Sequence, residues 1–209
     1  MNYQPDMDYV IYHRAILFPM RIDVVDNGGQ WTHREWRVLR YLGVDTDIIP
    51  NTKPFDEIDA NGLVLSGGAP RIGTEAMKLG NTSDYLDKAD FPILGICVGC
   101  QFMAMHFGGE AGPADIPEFG SVDVVIDKPG DILAGIRSPF KAWESHNDEV
   151  MVLPREFLNL AHSENCKVQA LKYNKKPFYG VQFHPEVEHT EFGYDIFKNF
   201  IRICEEQTK

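Results

Sequence analysis

The stretch PILGICVGCQ, residues 92–101, carries the clearest fold signal in the chain. Its first five residues are mostly apolar, as in a strand that is buried on both faces of a parallel sheet. Gly95 and Gly99 flank Cys97 at a distance of two residues on either side. This G-x-C-x-G pattern is typical of a nucleophile elbow, a strained corner between a strand and a helix that exposes its central side chain. The stretch therefore predicts a strand, a tight turn and a helix over residues 101–107.

Other apolar segments alternate with helical patterns in the first half of the chain. We predict strands at residues 20–26, 44–49 and 62–66 and a first helix in which Thr32 and Glu35 have capping-box spacing. Buried strands that alternate with helices indicate a parallel sheet covered on both sides. The second half instead has short strand patterns separated by turns, which favours antiparallel pairing. These lie at residues 122–126, 140–143, 158–161, 168–173 and 178–183. The sequence thus predicts an α/β fold with a mostly parallel central sheet, flanking helices and a smaller antiparallel sheet.

Composition excludes several function classes. The chain has 209 residues, with 20 Lys and Arg against 31 Asp and Glu, which gives a formal net charge of −11. A nucleic-acid-binding surface needs a basic face, so we expect no nucleic-acid partner. No apolar run is long enough to span a membrane, so we expect no membrane partner. Four cysteines are too few for a disulfide framework in a chain of this size, which favours a reducing, cytoplasmic location.

Cys97 and Cys100 leave several interpretations open when they are taken alone. A C-x-x-C pair at a helix start can be a redox dithiol, although the surrounding residues do not resemble a thioredoxin-like set. A zinc site would need two more ligands, and Cys166 and Cys204 are isolated in the sequence. A helix N-terminus behind Cys97 would favour its thiolate, the nucleophilic form. The motif alone also permits a buried, inert cysteine in a turn.

A cysteine nucleophile needs a base, and His184 is the best candidate among seven histidines. It follows the predicted strand over residues 178–183, and Glu186 stands two residues later. In an extended segment, residues i and i+2 point to the same side, so the Glu186 carboxylate can orient the imidazole. Pro185 between them fixes the backbone. The H-x-E pattern is common, however, and an exposed His and Glu at a strand end remain an alternative.

Together, GICVGCQ (residues 95–101) and GVQFHPE (residues 180–186) resemble the class I glutamine amidotransferases. The resemblance extends from about Met20 to the end of the chain. It implies a Cys97–His184–Glu186 triad on a flavodoxin-like parallel sheet. It further implies that Ser66-Gly67-Gly68 is the oxyanion loop, with the backbone N–H groups of Gly68 and Val98 as oxyanion donors.

Three further stretches resemble the glutaminase of GMP synthetases: DNGGQ (residues 26–30), WESHND (143–148) and FHPEVEHTEFG (183–193). The chain has no room for a synthetase, so it resembles the glutaminase subunit of the two-chain form. The implied function is to hydrolyse glutamine and deliver ammonia to a separate ATP-pyrophosphatase subunit, which aminates XMP to GMP. ATP and Mg²⁺ are then expected on that partner, with no cofactor in this chain. Alternatives are a glutaminase subunit for another synthetase, such as anthranilate or para-aminobenzoate synthase, a cysteine hydrolase acting alone, or a non-catalytic binding module.

The resemblance also assigns expectations to individual residues. Gln101, His146 and Asn147 are expected to contact substrate, Asp148 and His189 are expected to lie at the subunit interface or to couple the two sites, and no metal ligand is expected. Ala69 departs from the family pattern because it separates Gly68 from Pro70, which bears on the shape of the oxyanion loop. Cys100 has no role in this assignment. We expect residues 1–19 to be an N-terminal extension and residues 20–209 to form the amidotransferase domain.

Overall fold

The structure is a computed structural model that describes residues 20–208. The N-terminal extension expected at residues 1–19 lies outside the described residues. The strands are β1 Ile22–Asp26, β2 Ile48–Pro50, β3 Gly62–Leu65, β4 Ile93–Ile96, β5 Glu110–Ile126, β6 Phe140–Val152, β7 Phe157–His162, β8 Ala170–Tyr173 and β9 Phe178–Val181. The helices are α1 Thr32–Tyr41, α2 Ile72–Glu75, α3 Thr82–Lys88, α4 Val98–His106 and α5 Gly193–Gln207, with short 3₁₀ turns at Phe55–Glu57, Ala76–Leu79 and Asp131–Leu133.

The strands of residues 20–208 are ordered β2-β1-β3-β4-β9-β8-β7-β5-β6. The first five in this order pair in parallel, and the pairs from β9 to β6 are antiparallel. The predicted α/β class and the mostly parallel central sheet are therefore confirmed. The antiparallel part continues the same sheet, because the end of β5 pairs with β7, while most of β5 pairs with β6 in a long ribbon.

Alternating side chains of the central strands divide the hydrophobic core between the two faces of the sheet. Val64 and Leu94 pack into one buried cluster with α1 and α5, while Leu63, Leu65 and Ile93 pack into a second cluster with α3 and α4. This is the period-2 alternation of a strand, here apolar in both phases. In the part of the chain that the structure describes, no helix is long and apolar enough to cross a membrane.

Three details of the predicted elements are wrong. Strands β5 and β6 are far longer than the segments predicted at 122–126 and 140–143. Helix α4 begins at Val98, directly after Cys97, and not at residue 101. The capping box in α1 does not form: Trp31 is the N-cap residue, and no side chain caps the helix. Thr32 lies inside the first turn, so the carboxyl of Glu35 is free to bond elsewhere.

Candidate active site

Cys97 lies in a strained corner between β4 and α4. Its φ is 49° and its ψ is −109°, a conformation that non-glycine residues rarely adopt. The flanking glycines are required by close backbone contacts: a Cβ atom on Gly95 would lie 2.7 Å from the Gly99 carbonyl oxygen, and one on Gly99 would lie 2.3 Å from the Leu65 oxygen. The Cys97 N–H bonds the Val181 carbonyl at 2.8 Å, which ties the corner to β9. The nucleophile-elbow geometry predicted from the sequence is present.

His184 and Glu186 lie side by side, with 2.7 Å between Nδ1 and Oε1, and both residues are buried. The segment does not have the extended backbone that was predicted. It turns after β9, and the Val187 N–H bonds the His184 carbonyl oxygen at 3.3 Å. Burial by itself would lower the pKa of His184. The charge of Glu186 and hydrogen bonds with Cys97 and Glu186 outweigh it and raise that pKa well above the usual value.

Strand β6 holds the His184 segment in place. The His184 N–H bonds the Trp143 carbonyl oxygen at 2.9 Å, and the Trp143 N–H bonds Thr190 Oγ1 at 2.9 Å. The Thr190 hydroxyl in turn donates to the His184 carbonyl at 2.7 Å. The side chain of Trp31, at the start of α1, packs edge-on against the His184 ring with 4.4 Å between ring centroids. The imidazole is therefore fixed on several sides.

The loop after β3 lies beside the His184 ring and Cβ of Cys97. A Cβ atom on Gly67 would lie 3.0 Å from His184 Cε1 and 3.7 Å from Cys97 Cβ, and one on Gly68 would lie 3.0 Å from Val98 Cγ1. With Ala69 in the loop, Gly67 still lies beside Cys97 and His184, and Gly68 lies beside Val98. The Asn27 side chain stabilises the loop by donating a hydrogen bond to the Ser66 carbonyl at 3.0 Å.

Cys97, His184 and the loop that contains Gly67 and Gly68 line one cleft of about 480 Å³, a size typical of small-molecule sites. Nine of the ten residues singled out from the sequence line it: Gly68, Cys97, Val98, Gln101, His146, Asn147, Asp148, His184 and Glu186. His189 is not among the lining residues. Its side chain is 59% exposed and lies 4.9 Å from the Trp143 ring, measured between centroids.

Three of the expected substrate and interface residues, His146, Asn147 and Asp148, belong to strand β6, not to the polar turn that the sequence suggested. Alternation along the strand buries His146 and Asp148 and exposes Asn147. Asp148 pairs with the Arg71 guanidinium at 2.6 Å and accepts the Ile72 N–H at 3.0 Å. Gln101 donates its amide to the Asp148 carbonyl at 2.6 Å. The substrate and interface roles of these residues stay predictions.

Sequence reasoning missed three residues in or beside the cleft. Gln182 is buried, and its amide donates to the Cys97 sulfur at 3.6 Å and accepts from Gln101 at 3.1 Å. Trp31, the N-cap residue of α1, and Glu35, one helical turn later, both line the cleft. The position of Gln182 inside the GVQFHPE motif was an available signal. No comparable signal marks Trp31 or Glu35.

Cys100 points away from the cleft. A Cβ atom on Gly180 would lie 2.6 Å from its sulfur, so Cys100 fills the space over the middle of β9. Burial raises the pKa of its thiol. All four cysteines are free and buried, and Cys97 alone among them lines the cleft. The geometry favours a single functional cysteine over a dithiol.

A second polar cluster lies behind the cleft and was not predicted. Ligand atoms of Glu118, His146 and Cys166 lie within 4.8 Å of one another, as metal ligands can. Neighbouring side chains of the same chain make most of the hydrogen bonds that this cluster needs. Glu118 accepts Ser163 Oγ at 2.7 Å and Gln169 Nε2 at 2.8 Å, and it lies 3.2 Å from His146 Nε2. A hydrogen-bond network therefore accounts for the arrangement.

Residues 23–204 match the family described as glutamine amidotransferase class-I. The chain belongs to the class-I glutamine amidotransferases. Among the curated relatives of this amidotransferase, a subunit of the glutamine-hydrolyzing GMP synthase of Thermoplasma volcanium is 55% identical over 188 residues, which cover 90% of this chain and 93% of the relative. The equally named GMP synthase subunit of Thermococcus kodakarensis is 49% identical over 191 residues, covering 88% and 99%.

One solved structure gives the same family assignment, and a more distant one shares the fold. One described as a GMP synthase subunit from Thermoplasma acidophilum is 53% identical, with a TM-score of 0.86 over 90% of this chain and 95% of that one. A glutamine amidotransferase from Thermotoga maritima has a TM-score of 0.68 at 21% identity, covering 90% and 83%, and so shares the fold. The family resemblance noted in the sequence is confirmed.

Proposed function

We propose that this chain is the glutaminase subunit of a two-chain GMP synthase, which hydrolyses glutamine and passes ammonia to a separate synthetase subunit. The observation that carries the proposal is the strained Cys97 corner beside the His184–Glu186 pair in a single cleft. The relatives named as subunits of GMP synthase support the choice of acceptor within the family, because they match nearly the whole chain at about half identity.

In the first step, the Cys97 thiolate attacks the side-chain amide carbon of glutamine. The carbonyl oxygen becomes an oxyanion, which the Gly68 and Val98 N–H groups would stabilise. Val98 is the first residue of α4, where backbone N–H groups lack an intrahelical acceptor. Loss of one such donor typically lowers the rate by about 10²–10³-fold.

In the second step, His184 gives its proton to the amide nitrogen, the C–N bond breaks, and ammonia leaves a thioester on Cys97. His184 then takes a proton from water, whose oxygen attacks the thioester and releases glutamate and the thiolate. Glu186, at 2.7 Å from Nδ1, holds the ring orientation and stabilises the imidazolium throughout. Gln182 fixes the sulfur through its amide donor.

The ammonia would be used by an ATP-pyrophosphatase subunit that aminates XMP, with ATP and Mg²⁺ bound by that partner. Asp148 and His189 are proposed to lie near the interface. The exposed side chain of His189 and the cleft-lining position of Asp148 are compatible with that placement. The cytoplasmic location expected from the sparse cysteines stays a prediction.

Glutamine-dependent amination of XMP tests this function. The chain is mixed with an archaeal GMP synthase ATP-pyrophosphatase subunit, ATP and Mg²⁺, and both glutamate and GMP are measured. Cys97→Ser should abolish glutamine-dependent GMP formation but leave ammonia-dependent formation intact, because only the thiol chemistry is removed. Cys100→Ser is the matched control and should retain most of the activity.

Three outcomes would contradict the proposal. Full glutamine hydrolysis by Cys97→Ser would show that another group is the nucleophile. Restoration of activity by an anthranilate or para-aminobenzoate synthase partner, but not by the GMP synthase partner, would assign a different acceptor. Failure of an electrophilic glutamine analogue to label Cys97 would indicate a non-catalytic module.

A further inference from the structure

Glu35 is a buried carboxyl in the cleft to which the mechanism above gives no role. Only 1% of the residue is exposed. It lies on α1, four residues after Trp31, so helical spacing brings both side chains to the face that meets the catalytic cleft. A carboxyl is rarely buried without a specific partner, because desolvation is costly.

The partner of Glu35 is the oxyanion loop. Its Oε1 accepts the N–H of Gly67 at 3.3 Å, a contact between residues 32 positions apart. Gly67 is tightly confined on its other sides. A Cβ atom there would lie 3.0 Å from His184 Cε1, and a Cβ atom on Gly29 would lie 2.3 Å from the Gly67 carbonyl oxygen. The Glu35 contact therefore fixes the direction of one peptide group in a loop with little room to move.

The N–H groups of Gly67 and Gly68 therefore point to different partners in this proposal. We propose that Glu35 is a positioning residue: by accepting the Gly67 N–H, its carboxyl turns that amide toward α1 and leaves the next one, the Gly68 N–H, to face the Cys97 thiol. The inference rests on the proposed glutamine hydrolysis, and it adds a residue of α1 to the groups that shape the oxyanion site.

The environment of Glu35 favours the neutral, protonated form of its carboxyl, which accepts the Gly67 N–H. Burial is the main cause that raises its pKa well above the usual value, and the charge of Glu186 adds to it. The Gly67 N–H and the charge of His184 oppose this rise, and Asp26 reinforces it. Oε2 has no hydrogen-bond partner among residues 20–208, while Oε1 accepts from Gly67. A glutamine side chain, which is neutral and has the same length, should therefore replace Glu35 in this task.

Two substitutions separate hydrogen bonding from charge. Glu35→Gln keeps the reach and the carbonyl acceptor but cannot ionise. Glu35→Asp keeps the carboxyl but is shorter by one carbon–carbon bond, about 1.5 Å, and cannot reach the Gly67 N–H. Arg34→Gln, on the exposed side of the same helix, is the control for changes in α1 itself.

Glutamine hydrolysis by each variant is measured with the synthetase partner present. We expect Glu35→Gln to retain kcat within about threefold of the parent chain. Glu35→Asp should lose at least about tenfold in kcat with little change in KM, since the oxyanion donor acts mainly in the transition state. Labelling of Cys97 by an electrophilic glutamine analogue should slow in parallel. If Glu35→Asp does not fold, Glu35→Leu, which fills the volume without an acceptor, replaces it with the same expected loss.

The proposal fails if Glu35→Gln loses as much kcat as Glu35→Asp, because charge would then be the property that matters. It also fails if neither Glu35→Asp nor Glu35→Leu changes kcat. Failure of the proposed function itself looks different, because the parent chain would then hydrolyse no glutamine even with its partner present.

Discussion

At the scale of single residues, Glu144 is the clearest source of pH-dependent stability. It is fully buried on β6, and neither of its oxygens accepts a hydrogen bond from the described residues. His146 Nε2 lies 3.4 Å from Oε2. Burial raises the pKa of Glu144 to about 7, and the charge of His146 offsets only part of that effect. The folded state therefore holds this proton to a higher pH than the unfolded chain does.

The raised pKa of Glu144 makes the stability of the folded state depend on pH. Because the pKa is higher in the folded state, the free energy of unfolding should fall as the pH rises from about 4.5 to about 7, by up to about 3 kcal/mol from this group. Glu144→Gln should remove that fall. Urea denaturation at pH 5 and pH 8 measures the difference, with the exposed Glu164→Gln as control. Parallel pH dependence in the parent chain and in Glu144→Gln would contradict the assignment.

At the scale of elements, the packing of α4 on β9 depends on the absence of a side chain at Gly180. A methyl group there would lie 2.6 Å from the Cys100 sulfur and 2.9 Å from Leu171 Cδ1. Gly180→Ala should therefore destabilise the fold by about 1–3 kcal/mol, the usual cost of overpacking. Combining it with Cys100→Ala should return part of that loss, as a double-mutant cycle would measure. Gly73→Ala is the control, because its methyl group meets nothing closer than 3.9 Å. Strict additivity of the two changes would argue against direct contact.

The elements also show how far local sequence determines this molecule. The elbow around Cys97 and the pair formed by His184 and Glu186 were predictable because each is built from neighbours in the chain. The contacts of Gln182 with Cys97 and of Glu35 with Gly67 join residues 85 and 32 positions apart, and only the folded sheet brings them together. The GVQFHPE motif marks the position of Gln182, but local patterns do not indicate which distant residue a side chain will contact.

Strand length was misjudged for a related reason. Gly112, Pro113 and Pro117 are typical turn residues, yet they lie inside β5, where the register shifts between Pro113 and Glu118. In β6, alternation puts the polar residues Glu144, His146 and Asp148 on the buried side. The interior at this strand is lined by a hydrogen-bond network of polar side chains. A search for apolar periodicity alone therefore interprets this strand as a polar loop.

At the scale of the whole molecule, the ordered contacts of the described part of the chain begin at Met20. The Met20 carbonyl accepts the Asp45 N–H at 3.0 Å, and β1 then pairs on both sides with β2 and β3. A chain that begins at Met20 should therefore keep its free energy of unfolding within about 1 kcal/mol, since no described strand or core residue is removed. It should also keep its rate of glutamine hydrolysis.

Thermal unfolding and activity of the two lengths test this prediction. A chain that begins at residue 27 lacks β1 and serves as the negative control, because it should not fold. Aggregation or inactivity of the chain that begins at Met20 would show that residues 1–19 belong to the functional domain.

The bond between the Cys97 N–H and the Val181 carbonyl joins neighbouring strands in the middle of the sheet, β4 and β9, which carry the proposed nucleophile and lead into the proposed base. In hydrogen exchange, amides at such a place open only when the whole molecule unfolds. Local unfolding therefore does not separate Cys97 from His184. On heating, catalytic competence and the native fold should disappear in the same transition, with no inactive but folded state before it.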